Sequence, residues 1–87
     1  GGEEFVIVMP DTTIELANLI AERIRQEIAA HPIDTEGGKK QISVTLSMGV
    51  SNLIAQGDSP DQLVKRADTA LYSAKIAGRN RVESHAA

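Results

Sequence analysis

Ile42-Ser43-Val44-Thr45-Leu46-Ser47-Met48-Gly49-Val50-Ser51 alternates an apolar residue with a small polar one or glycine from end to end. A period of two sends successive side chains to opposite sides of an extended chain, so the stretch reads as a β-strand with one oily face and one face of small hydroxyls. Gly49 interrupts the hydroxyl series, which lets another piece of backbone come close or marks a bulge. Ser43, Thr45 and Ser47 have no His/Asp context for a nucleophile and are read as a polar sheet face.

Working outward, Ser59-Pro60-Asp61-Gln62 carries the marks of a helix start: a serine cap, proline at the first helical position and glutamine at the capping-box position. Leu63, Ala67, Ala70, Leu71 and Ala74 then form a narrow, alanine-rich stripe suited to packing close to a sheet, and Gly78 is placed to end the helix. Arg81-Val82-Glu83 reads as a last short strand, followed by a fraying tail from Ser84. Upstream, Thr12-Thr13-Ile14-Glu15 has the capping-box pattern, with the Thr12 hydroxyl as the expected cap. Ala17, Ile20, Ile24 and Ile28 follow at helical spacing, and the helix is expected to end near Ala30, before His31-Pro32. Asp34 to Lys40, with Gly37-Gly38, reads as a solvated turn. Phe5 to Met9 is a continuous apolar run with β-branched Val6, Ile7 and Val8, suited to a strand covered on both faces. The order strand, helix, strand, helix, short strand gives an α+β domain, a sheet flanked by helices.

The chain has 87 residues, enough for one small domain or part of one. Aromatic residues are 2%, so its core must be built from aliphatic side chains and alanine. Twelve acids against nine bases give a net charge of −3, which argues against broad nucleic-acid binding while leaving room for a small anion held by a few local cations. Zero cysteines exclude disulfides, thiolate zinc sites and thiol nucleophiles. No apolar run approaches the roughly 20 residues of a membrane span, and no basic segment precedes Phe5, so a soluble, cytoplasmic chain without membrane contact is expected. The chain opens on Gly1-Gly2 and enters a strand almost at once, which is expected of a piece of a longer protein.

Two groups of residues are suited to chemistry. In Gly1-Gly2-Glu3-Glu4-Phe5 a glycine turn, able to lie close to a phosphate, precedes two carboxylates that must point to opposite faces of a strand. A carboxylate in that setting suits Mg²⁺, which takes one or two carboxylates together with phosphate oxygens; a polar turn with two solvated acids is the alternative that spacing leaves open. Lys75 and Arg79, four residues apart, share a helix face or the turn just past it and can grip an anion, although the helix dipole also favours cations there. Lys65-Arg66 with Asp68, and Arg23 and Arg25 with Glu22 and Glu27, read as charge-paired solvated faces. His31 and His85 have no partner at metal-ligand spacing.

Gly1-Gly2-Glu3-Glu4-Phe5 resembles the signature of GGDEF domains, whose middle position is Asp or Glu. The resemblance continues through Val44–Ser51, through the helix Leu63–Lys75 and through Gly78-Arg79-Asn80-Arg81-Val82, in the family's order and covering essentially the whole chain. It is especially close to cyclase domains of response-regulator type. It implies the nucleotide-cyclase, palm-like fold and diguanylate cyclase activity, in which two GTP are condensed to cyclic di-GMP, a bacterial second messenger, with release of pyrophosphate by two domains meeting face to face. It implies Glu3 as metal ligand (Mg²⁺ or Mn²⁺) and catalytic carboxylate, Glu4 as the neighbouring catalytic acid, and Gly1 and Gly2 as the turn beneath the nucleotide. Lys75 and Arg79 match the positions that contact the GTP phosphates, and Arg23 a position that in some members binds cyclic di-GMP at an inhibitory site. An upstream sensory or receiver domain is the implied partner.

The family domain is roughly twice as long, and its first half carries a second metal carboxylate, the guanine-reading residues and an Arg-x-x-Asp inhibitory site. Residues 1–87 therefore correspond to the C-terminal portion of such a domain, expected to be inactive alone and to self-associate unless the rest of the domain covers it. The alternatives are a degenerate domain that binds GTP or cyclic di-GMP without turnover, and a purely structural or dimerisation domain, which accounts poorly for the motifs.

Overall fold

The computed structural model describes residues 7–54 and 57–86. Helix α1 spans Ile14–Ala30; β1 (Ile33–Thr35) and β2 (Lys40–Ile42) follow, joined by a 3₁₀ turn over Glu36–Gly38; then come β3 (Ser47–Ser51), α2 (Pro60–Ile76) and β4 (Arg81–His85). β1 and β2 pair antiparallel, with Ile33 opposite Ile42. β3 and β4 pair parallel, from Ser47 opposite Arg81 to Ser51 opposite His85, with α2 as the crossover between them. Among the described residues, both helices pack against β3 and β4 and not against each other, while β1, β2 and their turn touch no other element.

The period-two strand explains this arrangement. Ser47, Gly49 and Ser51 share one face, and α2 lies on it: a Cβ added at Gly49 would stand 2.1 Å from the Ala67 carbonyl oxygen and 2.4 Å from the Leu71 amide nitrogen. Ser51 Oγ donates to the Leu63 carbonyl at 2.6 Å, so helix backbone lies directly on the hydroxyl face of the strand. Met48 and Val50 alternate to the other side, the side left for α1. The buried residues among those described are the alanines Ala17, Ala21, Ala70 and Ala74, as close helix–sheet approach requires.

Both helices start on their own chemistry. Ser59 Oγ accepts from the Gln62 amide at 3.2 Å and Pro60 opens α2, as the sequence suggests. In α1 the cap is Thr13, not Thr12: Thr13 is extended and its hydroxyl accepts from the Leu16 amide at 3.2 Å, while the Thr12 hydroxyl donates back to the Pro10 carbonyl at 2.9 Å. The frame shifts by one because either threonine can cap and Pro10 supplies Thr12 with a competing acceptor.

Four further expectations need correction. The strand expected over 42–51 is divided, with Ile42 in β2, residues 43–46 outside any strand and only 47–51 paired. The turn expected over 34–40 is a hairpin, reversed by left-handed Glu36, Gly37 and Gly38 (φ +52, +67 and +89). The strand expected at Phe5–Met9 falls partly outside the described residues; Ile7–Met9 lies in no strand, and Ile7 and Val8 are exposed. In α1 the expected apolar stripe is narrower than its sequence, since Ala17 and Ala21 are buried while Leu16, Ile20 and Ile28 are exposed.

Arg66 pairs with Asp58 rather than with Asp68. Its guanidinium grips the Asp58 carboxylate through Nη1 at 3.0 Å and Nη2 at 2.5 Å, and Nη2 also reaches the Asn52 carbonyl at 2.7 Å. The carboxylate accepts the amides of Ile54 and Ser59 as well, so one side chain closes the β3–α2 loop. Hydrogen bonding from Arg66 is the main reason that the Asp58 carboxyl is held well below the usual carboxylate range.

Two outcomes follow for folding. Gly49→Ala drives a methyl into helix backbone that cannot yield without moving α2, and is expected to cost about 3 kcal/mol or more, the upper end for overpacking; Ser51→Ala loses one hydrogen bond, about 1 kcal/mol. Urea titrations followed by circular dichroism rank the two. Because the folded pKa of Asp58 lies below its unfolded value of about 3.9, the stabilisation is fully present above about pH 4 and disappears as pH falls through the folded value. Asp58→Asn is therefore expected to be the less stable protein at about pH 7, with the gap to the parent closing on acidification.

Candidate functional site

Lys75 stands in the last turn of α2 and Arg79 in the turn that follows. Both line one open groove of about 1460 Å³, which is also bordered by β3 and by Ile7, Met9 and Asp11. Gly1, Gly2, Glu3 and Glu4 lie outside the described residues; the chain that follows them, residues 7–11, borders the same groove as the two cations. Beside Lys75 is a smaller concavity of about 250 Å³, lined by Asp68, Leu71 and Tyr72. Both cations of the pair suggested by helical spacing thus border the same open groove.

The turn that carries Arg79 is held at many points. Ala77 caps α2, its amide donating to the Ser73 carbonyl at 2.9 Å, and the Arg79 amide donates to the Ala74 carbonyl at 2.9 Å. With Gly78 at φ +127 in the position after the cap, this is the glycine-terminated Schellman ending that the sequence suggests. Left-handed backbone continues past the glycine, with Arg79 at φ +63 and Asn80 at φ +47. Arg81 Nε donates to the Arg79 carbonyl at 3.2 Å, and the Asn80 amide donates to Ser47 Oγ at 3.2 Å. From α1, Arg25 Nη1 donates to Asn80 Oδ1 at 2.8 Å while its Nε is paired with Glu22.

Arg25 is thus more than part of a solvated face: its side chain is only 18% exposed and ties α1 to the turn after α2. Sequence reasoning missed this role, and missed Asn80 and Ser47 with it. The available signal was Gly78 followed two positions later by asparagine, the two residue types that best tolerate left-handed backbone. Arg23 is exposed on the side of α1 away from Ala21. His31 Nδ1 lies 2.7 Å from the Glu27 carbonyl oxygen, and among the described residues no cluster of His, Asp or Glu could hold a metal ion. Nor is any helix among them long and apolar enough to cross a membrane.

Comparison with known proteins adds to this geometry. A family model described as diguanylate cyclase, GGDEF domain, matches residues 1–81. The response regulator PleD of Caulobacter vibrioides is 48% identical over 87 residues, which is 100% of this chain and 19% of that protein. Diguanylate cyclase A of Treponema denticola is 44% identical over 82 residues, 94% of this chain and 22% of its own length. Among solved structures, the GGDEF domain of DgcB from Caulobacter crescentus, crystallised with c-di-GMP, superposes with a TM-score of 0.79 at 28% identity, over 87% of this chain and 43% of that one. The chain therefore spans about a fifth of these curated relatives and under half of the solved domain.

The fold cost of the cation at position 79 can be measured apart from any ligand. At φ +63 a glycine fits without strain, so Arg79→Gly is expected to leave the urea midpoint unchanged or raised. Arg79→Val places a β-branched residue in the left-handed region and is expected to lower stability by about 1–2 kcal/mol.

Proposed function

The chain belongs to the GGDEF family, and on that premise we propose that residues 1–87 form the C-terminal portion of a diguanylate cyclase domain that condenses two GTP into cyclic di-GMP and pyrophosphate. The observation that supports this reading is the shared groove: Lys75 and Arg79 line it together with residues 7–11, which directly follow the Gly1-Gly2-Glu3-Glu4-Phe5 signature.

The division of labour follows from the charge of the substrate. In phosphoryl-type transfer the protein positions the reactants and neutralises charge that develops on phosphate oxygens. Lys75 and Arg79 are assigned to the phosphates of GTP, with Arg79 presenting its planar guanidinium from a fixed turn and Lys75 a point charge from the helix end. Gly1 and Gly2 are assigned to the turn beneath the nucleotide, where the lack of side chains permits close approach. Glu3, with Glu4 beside it, is assigned to the metal, because hard carboxylate oxygens fit Mg²⁺ or Mn²⁺. Bound Mg²⁺ supplies charge neutralisation on phosphate oxygens and helps lower the barrier to attack by a 3′-hydroxyl. A second GGDEF domain brings the other GTP, so the working unit is a homodimer. Arg23, exposed on α1, is assigned to an inhibitory site for the product, and an upstream receiver or sensory domain to its control. A GTP-consuming domain of this kind operates in the cytoplasm.

Residues 1–87 hold one side of this machinery, with the second metal carboxylate and the guanine reader assigned to the preceding part of the same domain. The isolated chain is accordingly expected to yield no cyclic di-GMP from GTP and Mg²⁺, and the full-length protein to yield it. In the full-length protein Glu3→Gln is expected to lower the rate by at least ~10²–10³-fold, the usual scale for loss of an electrostatic stabiliser. Product formation followed by liquid chromatography decides the matter; binding of GTP by the full-length protein without turnover would move the reading to a non-catalytic binding module.

A further inference from the structure

We propose that Arg25 and Asn80 are positioning residues for Arg79: the Arg25–Asn80 hydrogen bond locks the turn after α2 so that the Arg79 guanidinium is presented to nucleotide phosphate, and it makes α1 part of the phosphate-binding apparatus. This inference rests on the reading of Arg79 as a phosphate ligand given above.

The observation behind it is backbone conformation where it is costly. Gly78, Arg79 and Asn80 all have positive φ (+127, +63 and +47), and only the first is a glycine. Left-handed backbone is unfavourable for arginine and better tolerated by asparagine, and two such residues in succession persist where their surroundings over-determine them. Here the surroundings do so. The Arg79 amide is tied to the Ala74 carbonyl and its carbonyl to Arg81 Nε. The Asn80 amide is tied to Ser47 Oγ at the start of β3, and its side chain to Arg25 Nη1 at 2.8 Å. Four elements thus hold one short turn: α2 through Ala74, β4 through Arg81, β3 through Ser47 and α1 through Arg25. The pairing of Arg25 Nε with Glu22 aims the guanidinium and balances its charge, so that Arg25 acts as a strut rather than as a further cation for the ligand.

Holding Arg79 in place lowers the entropy lost when it meets a phosphate, which is the advantage of a preorganised site. Loss of the strut leaves the charge of Arg79 present but its geometry loose. The expected consequence is weaker binding of the triphosphate with little change in the unfolding midpoint, since a single hydrogen bond contributes modestly to stability. A contributor to structure alone would show the reverse pattern.

The test uses the full-length protein and a non-hydrolysable GTP analogue with Mg²⁺, with affinity read by calorimetry and stability by thermal unfolding. Arg25→Ala is expected to weaken binding about tenfold, and Asn80→Gly, which keeps the left-handed backbone but removes the acceptor, to do the same. The double variant is expected to be no worse than either single one, because both remove one contact. Arg25→Lys, which can still donate to Asn80, is expected to recover part of the loss. Unchanged affinity in Arg25→Ala and Asn80→Gly, or additive losses in the double variant, would overturn the proposal. Arg79→Gly distinguishes the two levels. If it weakens binding while the strut variants do not, the strut is wrong and the phosphate role of Arg79 stands. If Arg79→Gly also leaves binding unchanged, the reading of the site fails and the strut proposal with it.

Discussion

At Gly49 helix α2 rests on β3 backbone to backbone, and most of the rest of the molecule depends on that approach. With a Cβ position 2.1 Å from a helix carbonyl oxygen, no other residue fits without displacing the helix. Closeness at this point explains why the buried residues of α2 are alanines, Ala70 and Ala74, and why the facing side of β3 offers Ser47 and Ser51 rather than bulky side chains. It also fixes the height of α2 over the sheet, and so where the helix ends relative to the first residue of β3. The Schellman ending then returns the chain directly into β4, parallel to β3. The position of Arg79 is in this sense decided thirty residues earlier, by an absent side chain.

The two polar clusters fix opposite ends of this unit. At one end Asp58 gathers two amides and the Arg66 guanidinium, closing the loop that leads into α2. At the other, Arg25 and Ser47 hold the turn that leads out of it. A buried charge pair on its own is weak evidence for stability, because desolvation offsets the attraction. Asp58 differs in that its oxygens are supplied with donors from backbone and side chain alike, which favours its ionised form. Both clusters therefore define geometry more than they add to stability, and geometry is what a site built on charge placement requires.

Much of this was legible in the residues. The caps of α2, its alanine stripe and the role of Gly78 follow from local rules, because each is set by a few neighbouring residues, and Gly49 was legible as either a close approach or a bulge, of which the structure shows the approach. The resemblance to GGDEF domains was legible from motif order and is matched by the family model over residues 1–81. What was not legible depends on distant partners. Nothing in the alternation over 42–51 indicates that pairing stops between Ile42 and Ser47, since strand limits are set by neighbours and not by the strand. Arg66 has Asp68 close in sequence, yet selects Asp58, which a folded loop brings to it. Arg25 and Asn80 are 55 positions apart, beyond the reach of any periodicity. The signature itself, Gly1 to Phe5, lies outside the described residues, so its part in the site stands on sequence alone.

Among the described residues, the hairpin of β1, β2 and their turn shares contacts with no other element. Cooperativity in a small protein comes from contacts that make each element's stability conditional on the others, and the hairpin has none of these with the β3–α2–β4 unit. Its amides can therefore exchange with solvent through a local opening that leaves the rest intact, so the chain carries two free energies of opening rather than one. A change in hairpin length or sequence is in turn invisible to the remainder of the fold, which leaves this segment free to diverge while the groove and the Arg79 turn are held fixed.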